Sequence, residues 1–385
     1  MAGIEPIGRS ATGTNRLAWT AEDAAASKWF EAQATSVGLR VERDPAGNLW
    51  AVPASPGPWW VVASHLDSVR DGGRFDGALG VAAGFEVARA AAVPVAVVSF
   101  ADEEGARFNT PTFGSKALAG VLDPAVLGRA DDDGVTVGDA MHAAGVDPAG
   151  VLDAPARLER VAGLIELHID QTRELEEADR PVGVVSCLAH RLRLRADVAG
   201  RADHAGTTRR TERADALEAA ARIIVAGYDL ASDDPDFVVT ASRILVSPNA
   251  TTTIAASASV WIDARARAAE PLETWHAAYE ERAVGIARAS GVELELSVAS
   301  RGPGITFDAD VRAALHAAGD ELGAPMPELV CFAGHDAGMV AARRAAGMVL
   351  VRNPTGISHS PHERVEYEDA AIGANVVLRA VERLA

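Results

Sequence analysis

The sequence predicts an α/β fold: a larger domain built on a largely parallel sheet, interrupted by a smaller inserted domain. Three observations predict it. Val-rich apolar runs alternate with Ala-rich amphipathic stretches, the pattern of strand, loop and helix in succession. Several of those runs end in His, Asp or Glu set among glycines. Residues 188–299 change character and follow the order βαββαβ, a split βαβ, ferredoxin-like unit complete in itself. At 385 residues the chain is longer than one hydrophobic core usually serves. The predicted division is therefore 1–187 and 300–385 for the larger domain and 188–299 for the insertion, with hinges near Ser186 and Ser300.

Composition narrows the function. The 36 basic and 54 acidic residues leave a net charge of −18, which disfavours nucleic acid and anionic membrane as partners and favours a small substrate. Apolar runs fall well short of a membrane span, and the N-terminus lacks a basic, then apolar, signal pattern, so a cytoplasmic protein is expected. Cys187 and Cys331 lie in apolar runs and read as buried small hydrophobes, neither a disulfide nor a thiolate metal site.

In chain order, Thr20-Ala21-Glu22-Asp23 caps an amphipathic helix over 20–38, and strands over 39–43 and 48–52 flank the turn at Asp44–Gly47. Trp59 to His65 is an apolar strand. It runs into Leu66-Asp67-Ser68 and then Asp71-Gly72-Gly73-Arg74-Phe75-Asp76-Gly77, before a helix over 80–92. The strand Val93–Phe100 leads into Glu103-Glu104, Val161–Leu167 into His168-Ile169-Asp170-Gln171, and Gly347–Val351 into Gly356-Ile357-Ser358-His359. A fifth run, Leu329–Phe332, leads into Gly334-His335-Asp336-Ala337. In open α/β sheets, ligands bind beyond the carboxyl ends of the strands, so all five would deliver polar groups to one edge. Within the insertion, strands are expected over 190–198, 237–246, 253–264 and 292–298, with helices over 215–230 and 271–290.

The pooled strand-end residues are His65, Asp67, Asp76, Glu103, Glu104, His168 and His359. Imidazole and carboxylate without thiolate suit zinc or a similar divalent ion such as manganese. The inventory also supplies what two neighbouring metals need, an anionic ligand between them and terminal ligands on each.

These residues resemble the hydantoinase/carbamoylase amidohydrolases, a branch of the dinuclear metallopeptidase-like enzymes. The resemblance covers nearly the whole chain. It is carried by the ordered set Ser64-His65-Leu66-Asp67, Gly72–Gly77, Glu103–Phe108, Glu166-Leu167-His168-Ile169, His204-Ala205-Gly206-Thr207-Thr208, Gly334–Ala337 and Gly356–Pro361. It implies Asp76 as a carboxylate bridging two divalent ions, zinc first, with manganese, cobalt or nickel as alternatives. His65 and His168 would complete one metal, and Glu104 and His359 the other. It further implies that Asp67 accepts the second ring N–H of His65, and that Glu103 is the general base that takes a proton from the attacking water and passes it to the leaving nitrogen. His204 would stabilise the oxyanion in the site of a partner subunit, and Arg265 would bind the substrate carboxylate. Gln171, Thr252 and the backbone at Gly334 would complete the pocket. The inserted domain is then a lid and the dimerisation element of a homodimer.

The chain departs from the family pattern at Asp170 (usually Glu), Thr172 (usually Gly), Thr252 (usually Asn) and Arg209-Arg210 (usually Pro-Met). Metal and base positions are intact, so the expected activity is hydrolysis of the linear amide C–N bond of a small ureido acid. An N-carbamoyl-L-amino acid is the first expectation and allantoate the alternative. A dipeptidase or deacylase and an inactive metal-binding homologue rank below both.

Overall fold

The computed structural model describes residue 1, residues 3–231 and residues 234–385. The chain opens with α1 (Ala21–Ser36), capped by Thr20, whose side-chain oxygen accepts the Asp23 N–H, and continues through β1 (Arg40–Arg43), β2 (Leu49–Val52) and β3 (Trp59–His65). Then follow α2 (Ala78–Ala90), β4 (Val95–Phe100), α3 (Phe113–Ala119), α4 (Val137–Ala143), β5 (Val161–Ile169), α5 (Glu174–Glu177) and β6 (Val182–Leu188). The middle of the chain supplies β7 (His190–Ala199), β8 (Asp203–His204), α6 (Ala216–Asp229), β9 (Phe237–Ser247), β10 (Thr253–Ile254), β11 (Ser257–Ala266), α7 (Ala269–Ser290) and β12 (Glu293–Gly302). The remainder is β13 (Ile305–Thr306), α8 (Ala309–Glu321), β14 (Glu328–Cys331), α9 (Asp336–Ala341), β15 (Ala345–Val351) and α10 (Tyr367–Leu384). Among the described residues no helix is long and apolar enough to cross a membrane.

The chain divides into two compact units. The first comprises Met1–Ser186, Thr306–Leu329 and Gly334–Ala385. Its main sheet runs β1-β2-β4-β3-β5-β15-β6-β13. The centre, β4-β3-β5-β15, is parallel, and β2 and β6 join it antiparallel. Period-2 alternation sorts the two faces. Ile165, Leu167 and Ile169 of β5 enter the core formed with α2, α8 and α10. Glu166 and His168, of opposite parity, turn to the face that carries α9, whose Ala337 N–H donates to Glu166 at 2.7 Å. The parallel strands therefore end on one edge with their polar residues gathered there.

Two expectations for this unit need correction. The Leu329–Phe332 run does not join the parallel array: β14 pairs β6 off the main path, so four strands, not five, deliver the strand-end residues. Residues 107–160, for which no elements were expected, hold α3, α4 and a 3₁₀ segment at Pro148–Arg160 around a core of Phe108, Phe113, Val137, Met141 and Val151. α10 was likewise not anticipated.

The second unit comprises Cys187–Ile305 with Val330–Ala333, where the expected insertion was 188–299; the added residues complete β12 and the segment following β14. Its main sheet runs β12-β7-β11-β9, antiparallel throughout. In chain order that is fourth, first, third, second strand, the topology of the βαββαβ unit. Leu192, Leu194, Ala196 and Val198 of β7 and Val260, Ile262 and Ala264 of β11 point to one face, against α6 and α7. The expected strand 253–264 is broken: Thr253 and Ile254 leave the sheet to pair with His204 and Asp203, and the strand resumes at Ser257.

Candidate metal centre

Asp76 lies in the loop after β3, and the helix that follows begins immediately behind it. The junction requires glycine at position 77, where φ is +64° and a Cβ would lie 2.4 Å from the His65 ring. Asp76 itself is buried. Its Oδ1 is 3.0 Å from His168 Nε2 and 3.6 Å from His65 Nε2. Its other oxygen, Oδ2, is 3.7 Å from His359 Nε2, and His359 Nε2 is 3.5 Å from Glu104 Oε2. One carboxylate thus faces two donor sets, His65–His168 and Glu104–His359, one through each oxygen. In each set, completed by Asp76, the candidate ligand atoms all lie within 4.8 Å of one another.

The ring tautomers fit a cation. His65 Nδ1 meets the Asp67 carbonyl at 3.1 Å and His168 Nδ1 meets the Ile169 carbonyl at 3.0 Å. A carbonyl accepts only, so each Nδ1 carries a proton and each Nε2 lone pair is free in the neutral ring. Those two nitrogens stand 3.4 Å apart, both aimed at Asp76, a repulsive placement that a shared cation relieves. Glu104 Oε1 is buried with no hydrogen-bond partner among the described residues, again as an unfilled ligand would be. The donors are hard oxygen and imidazole nitrogen, suited to divalent zinc or manganese.

The electrostatics follow from this crowding. Burial alone would raise the Asp76 pKa, but the His168 and His65 rings hold it well below the usual carboxylate range. Burial, then the Asp76 charge, pushes Glu104 up to about 8. Glu103 is raised well above its ordinary value by burial and by the carboxylates of Asp336, Glu104 and Asp67, against the pull of His65, whose Nε2 is 3.8 Å from Glu103 Oε2.

Asp67 does not make the contact expected of it. The His65 Nδ1 proton goes to the Asp67 main-chain carbonyl, while the carboxylate oxygen lies 3.7 Å away. The Asp67 carboxylate instead accepts the main-chain N–H groups of Glu103 and Glu104, each at 3.1 Å. The reason is geometric: the β4 loop presents two adjacent amides to a buried carboxylate. Asp67 thus sets the backbone from which both glutamates project.

The other expected residues fall in separate places. Gln171 Nε2 reaches Asp76 Oδ2 at 3.4 Å, and Gly334 is exposed just before α9. The departures at Asp170 and Thr172 touch each other, the Thr172 hydroxyl donating to Asp170 Oδ1 at 2.8 Å. In the second unit, His204 on β8 is exposed, and its Nδ1 accepts the N–H groups of Gly206 at 3.0 Å and Thr207 at 3.1 Å. In the neutral ring this leaves the proton on Nε2, a donor directed outward. The Thr252 carbonyl accepts the Ala205 N–H at 2.9 Å, so Thr252 lies beside the His204 turn. Arg265, on β11, donates to Asp263 Oδ1 through Nε at 2.6 Å and to the Phe332 carbonyl through Nη1. Arg209 and Arg210 are exposed.

Sequence reasoning missed several buried groups around the centre. Glu363 accepts two main-chain N–H groups, from Phe75 at 2.5 Å and Asp76 at 3.0 Å. Asn353 ties the His359 loop, donating to the Ile357 carbonyl and accepting from Thr355 and Arg364. His335 is buried with neither ring nitrogen hydrogen-bonded among the described residues, its Nδ1 3.9 Å from Glu166 Oε1 and its ring centre 4.5 Å from that of His168. Glu363 and Asn353 each lie within six residues of His359, and proximity to a candidate ligand was the available signal.

Comparison with known proteins gives a consistent result. The sequence model of peptidase family M20/M25/M40 matches residues 51–383. The chain is 36% identical over 393 aligned residues to an N-carbamoyl-L-amino acid amidohydrolase of Geobacillus stearothermophilus, covering 100% of this chain and 95% of the relative. It is 31% identical to the allantoate amidohydrolase of Bacillus subtilis, covering 97% and 93%. A crystal structure of a hydantoinase/carbamoylase family amidase from Burkholderia multivorans superposes with a TM-score of 0.86 at 31% identity, covering 100% and 96%.

Proposed function

We propose that this chain, which belongs to peptidase family M20/M25/M40 and within it to the hydantoinase/carbamoylase amidohydrolases, hydrolyses the linear amide C–N bond of an N-carbamoyl-L-amino acid. The products are the free amino acid, ammonia and carbon dioxide. The observation that carries the reading is the Asp76 carboxylate facing one donor set through each oxygen, with Glu103 beside it.

In this reading His65, His168 and Asp76 would hold one divalent cation, and Asp76, Glu104 and His359 a second, with zinc the first candidate. Cations held there would supply Lewis acidity, lowering the pKa of the attacking water and polarising the carbamoyl oxygen. Glu103 takes the proton from that water as it adds to the carbamoyl carbon, then gives it to the departing nitrogen. Its burial beside His65 and next to Glu104 in the chain places it to take and return that proton. The His204 Nε2–H supplies a donor to the oxyanion, and Arg265 holds the substrate carboxylate through the N–H groups left over from Asp263 and Phe332. Gln171, Thr252 and the Gly334 backbone contribute polar contacts, and Asp67 fixes the Glu103–Glu104 backbone.

The reading includes a homodimer formed through the second unit, which would also act as a lid. Support comes from the edge strand β9, where Val238, Ile244 and Leu245 are exposed. Allantoate is the second reading, favoured by the exposed pair Arg209-Arg210 and by the Bacillus subtilis relative. Purified protein loaded with zinc, manganese, cobalt or nickel, offered N-carbamoyl-L-amino acids and allantoate, should release ammonia from at least one carbamoyl amino acid. Release from allantoate alone would select the second reading, and none across the panel would refute both.

A further inference from the structure

We propose that Arg191 and Arg265 together form a two-cation carboxylate site on the open face of the second unit's sheet, which selects a ureido acid bearing a second carboxylate in its side chain. The inference rests on the ureido-acid reading and narrows its substrate class.

The face is defined by strand alternation. With the apolar residues of β7 and β11 turned to α6 and α7, their intervening residues, Arg191, Arg193 and Arg195 on β7 and Trp261, Asp263 and Arg265 on β11, stand on the opposite face. The register sets Arg265 directly opposite Arg191, and Asp263 opposite Arg193. Like charges in directly opposed positions destabilise a sheet unless something neutralises them.

Neutralisation is incomplete, and the shortfall falls on Arg191. Arg195 lies against the Trp261 ring and pairs with Asp197. Arg193 and Arg265 share one carboxylate, Asp263, through Nε contacts of 2.7 and 2.6 Å. Arg191 makes no ion pair or side-chain hydrogen bond among the described residues, and its Nε is sealed from solvent without a partner. Arg191, Arg193 and Arg265 against Asp263 leave two positive charges in excess, in a chain whose overall charge is −18.

A structural role does not account for this placement. An arginine whose stem merely covers the sheet keeps its head in water. Here the guanidinium lies over Gly302 of β12, its Nη2 and Nε 3.8 and 3.9 Å from the point where a Cβ would stand. A Cβ there would touch the fork in ordinary van der Waals contact. Burial, then the neighbouring Arg193 and Arg265 charges, lowers the Arg191 pKa, with Asp263 the opposing influence. A partly buried, unpaired guanidinium beside another is costly to retain, and an anion bound between them removes the cost.

The spacing indicates the kind of anion. Neighbouring strands lie ~4.8 Å apart, a separation that the two carboxylates of an aspartate- or glutamate-type diacid can span. One carboxylate would meet the free N–H groups of Arg265, and the other the fork of Arg191.

The test compares the metal-loaded protein on N-carbamoyl-L-aspartate and N-carbamoyl-L-glutamate with N-carbamoyl-L-alanine and N-carbamoyl-L-methionine. The acidic pair should show the higher kcat/KM. Arg191→Gln should cut that preference roughly ten- to hundredfold, the usual effect of losing one charge-assisted partner, and through KM more than kcat; Arg191→Lys should restore part of it. Equal or better turnover of the neutral pair, or a loss on Arg191→Gln that is the same for both pairs, would overturn the inference. Calorimetric binding of succinate and glutarate separates it from the reading beneath it. Weaker diacid binding by Arg191→Gln, with no ureido acid turned over by the wild type, would refute the ureido reading and support the two-arginine site. Equal diacid binding by both proteins would refute the two-arginine site whatever the turnover.

Discussion

The main-chain N–H of Asp76 donates to the buried carboxylate of Glu363 at 3.0 Å, so the residue facing both donor sets is held from a loop nearly three hundred positions away in sequence. The same oxygen accepts the Phe75 N–H at 2.5 Å. Four residues before Glu363 stands His359, which ties one candidate ligand's loop to the backbone of another. Glu363→Ala leaves two buried amides unpaired, at about 1–3 kcal/mol each at most. It should lower both the thermal stability of the metal-free protein and its metal affinity. Glu363→Gln keeps an accepting oxygen and should recover most of both. Unchanged metal titrations in the alanine variant would count against the coupling.

Glycine at position 73 belongs to the same device. A Cβ there would lie 1.7 Å from the Glu363 carboxyl carbon. Gly73→Ala should therefore resemble Glu363→Ala in metal affinity, measured by the same titration. An alanine variant that binds metal as the wild type does would show that the carboxylate can move without consequence.

The metal-free protein should lose stability as pH rises. Glu104 is pushed up to about 8 and Glu363 to about 7, burial being the first cause of each. Both ionise in the unfolded chain near their ordinary values, so each penalises the folded state increasingly from about pH 4.5 upward. His65 and His168 are raised despite burial, through Asp76 and its neighbouring carboxylates, so their stabilisation is full below about pH 6.5 and lost above it. Asp76 and His335, both held low, work the other way: the Asp76 contribution is lost below about pH 4, and burial and the His168 ring make His335 penalise the folded state as pH falls below about 6.5. Tm of metal-free protein should thus fall between pH 5 and 8. Binding of a divalent cation at pH 7 should release protons, seen as calorimetric heats that vary with the buffer's ionisation enthalpy. Heats independent of buffer would contradict this.

Glu103→Gln removes the proposed proton carrier while leaving an isosteric amide. Turnover should fall by roughly 10²- to 10⁴-fold with metal content intact. Near-normal turnover would mean that another group moves the proton.

His204→Ala should lower turnover and leave metal content unchanged, because its ring is fixed by Gly206 and Thr207 and its Nε2–H is the free donor. Nitrogen NMR of the ring should find Nε2 protonated and Nδ1 bare. Light scattering should report a dimer, and a strict monomer would contradict a role for His204 across a subunit boundary.

Most of the parallel sheet and the two donor sets were legible because each candidate ligand sits within a few residues of an apolar run, and that run's length and parity fix where the side chain emerges. His65 and His168 are examples, delivered at the ends of β3 and β5. What the sequence hid was partnership at a distance. Nothing near Asp67 says that its carboxylate will meet the amides of Glu103 and Glu104 in place of the His65 ring. Glu363 is similarly opaque, since its partners, Phe75 and Asp76, precede it by 288 and 287 positions. The break between β10 and β11 escaped notice because Thr253 and Ile254 have good strand character; what moves them is the competing partner at His204. Arg191 read as one of several alternating arginines, and only the register against Arg265 distinguishes it.

In the proposed centre Asp76 would face two metal ions, one through each carboxylate oxygen. Anomalous diffraction from crystals of the zinc-loaded protein tests it most directly. Two peaks should flank the Asp76 carboxylate, about 3.5–4 Å apart, one against His65 and His168 and the other against Glu104 and His359. A single peak, or peaks that leave Asp76 outside the coordination sphere, would contradict it.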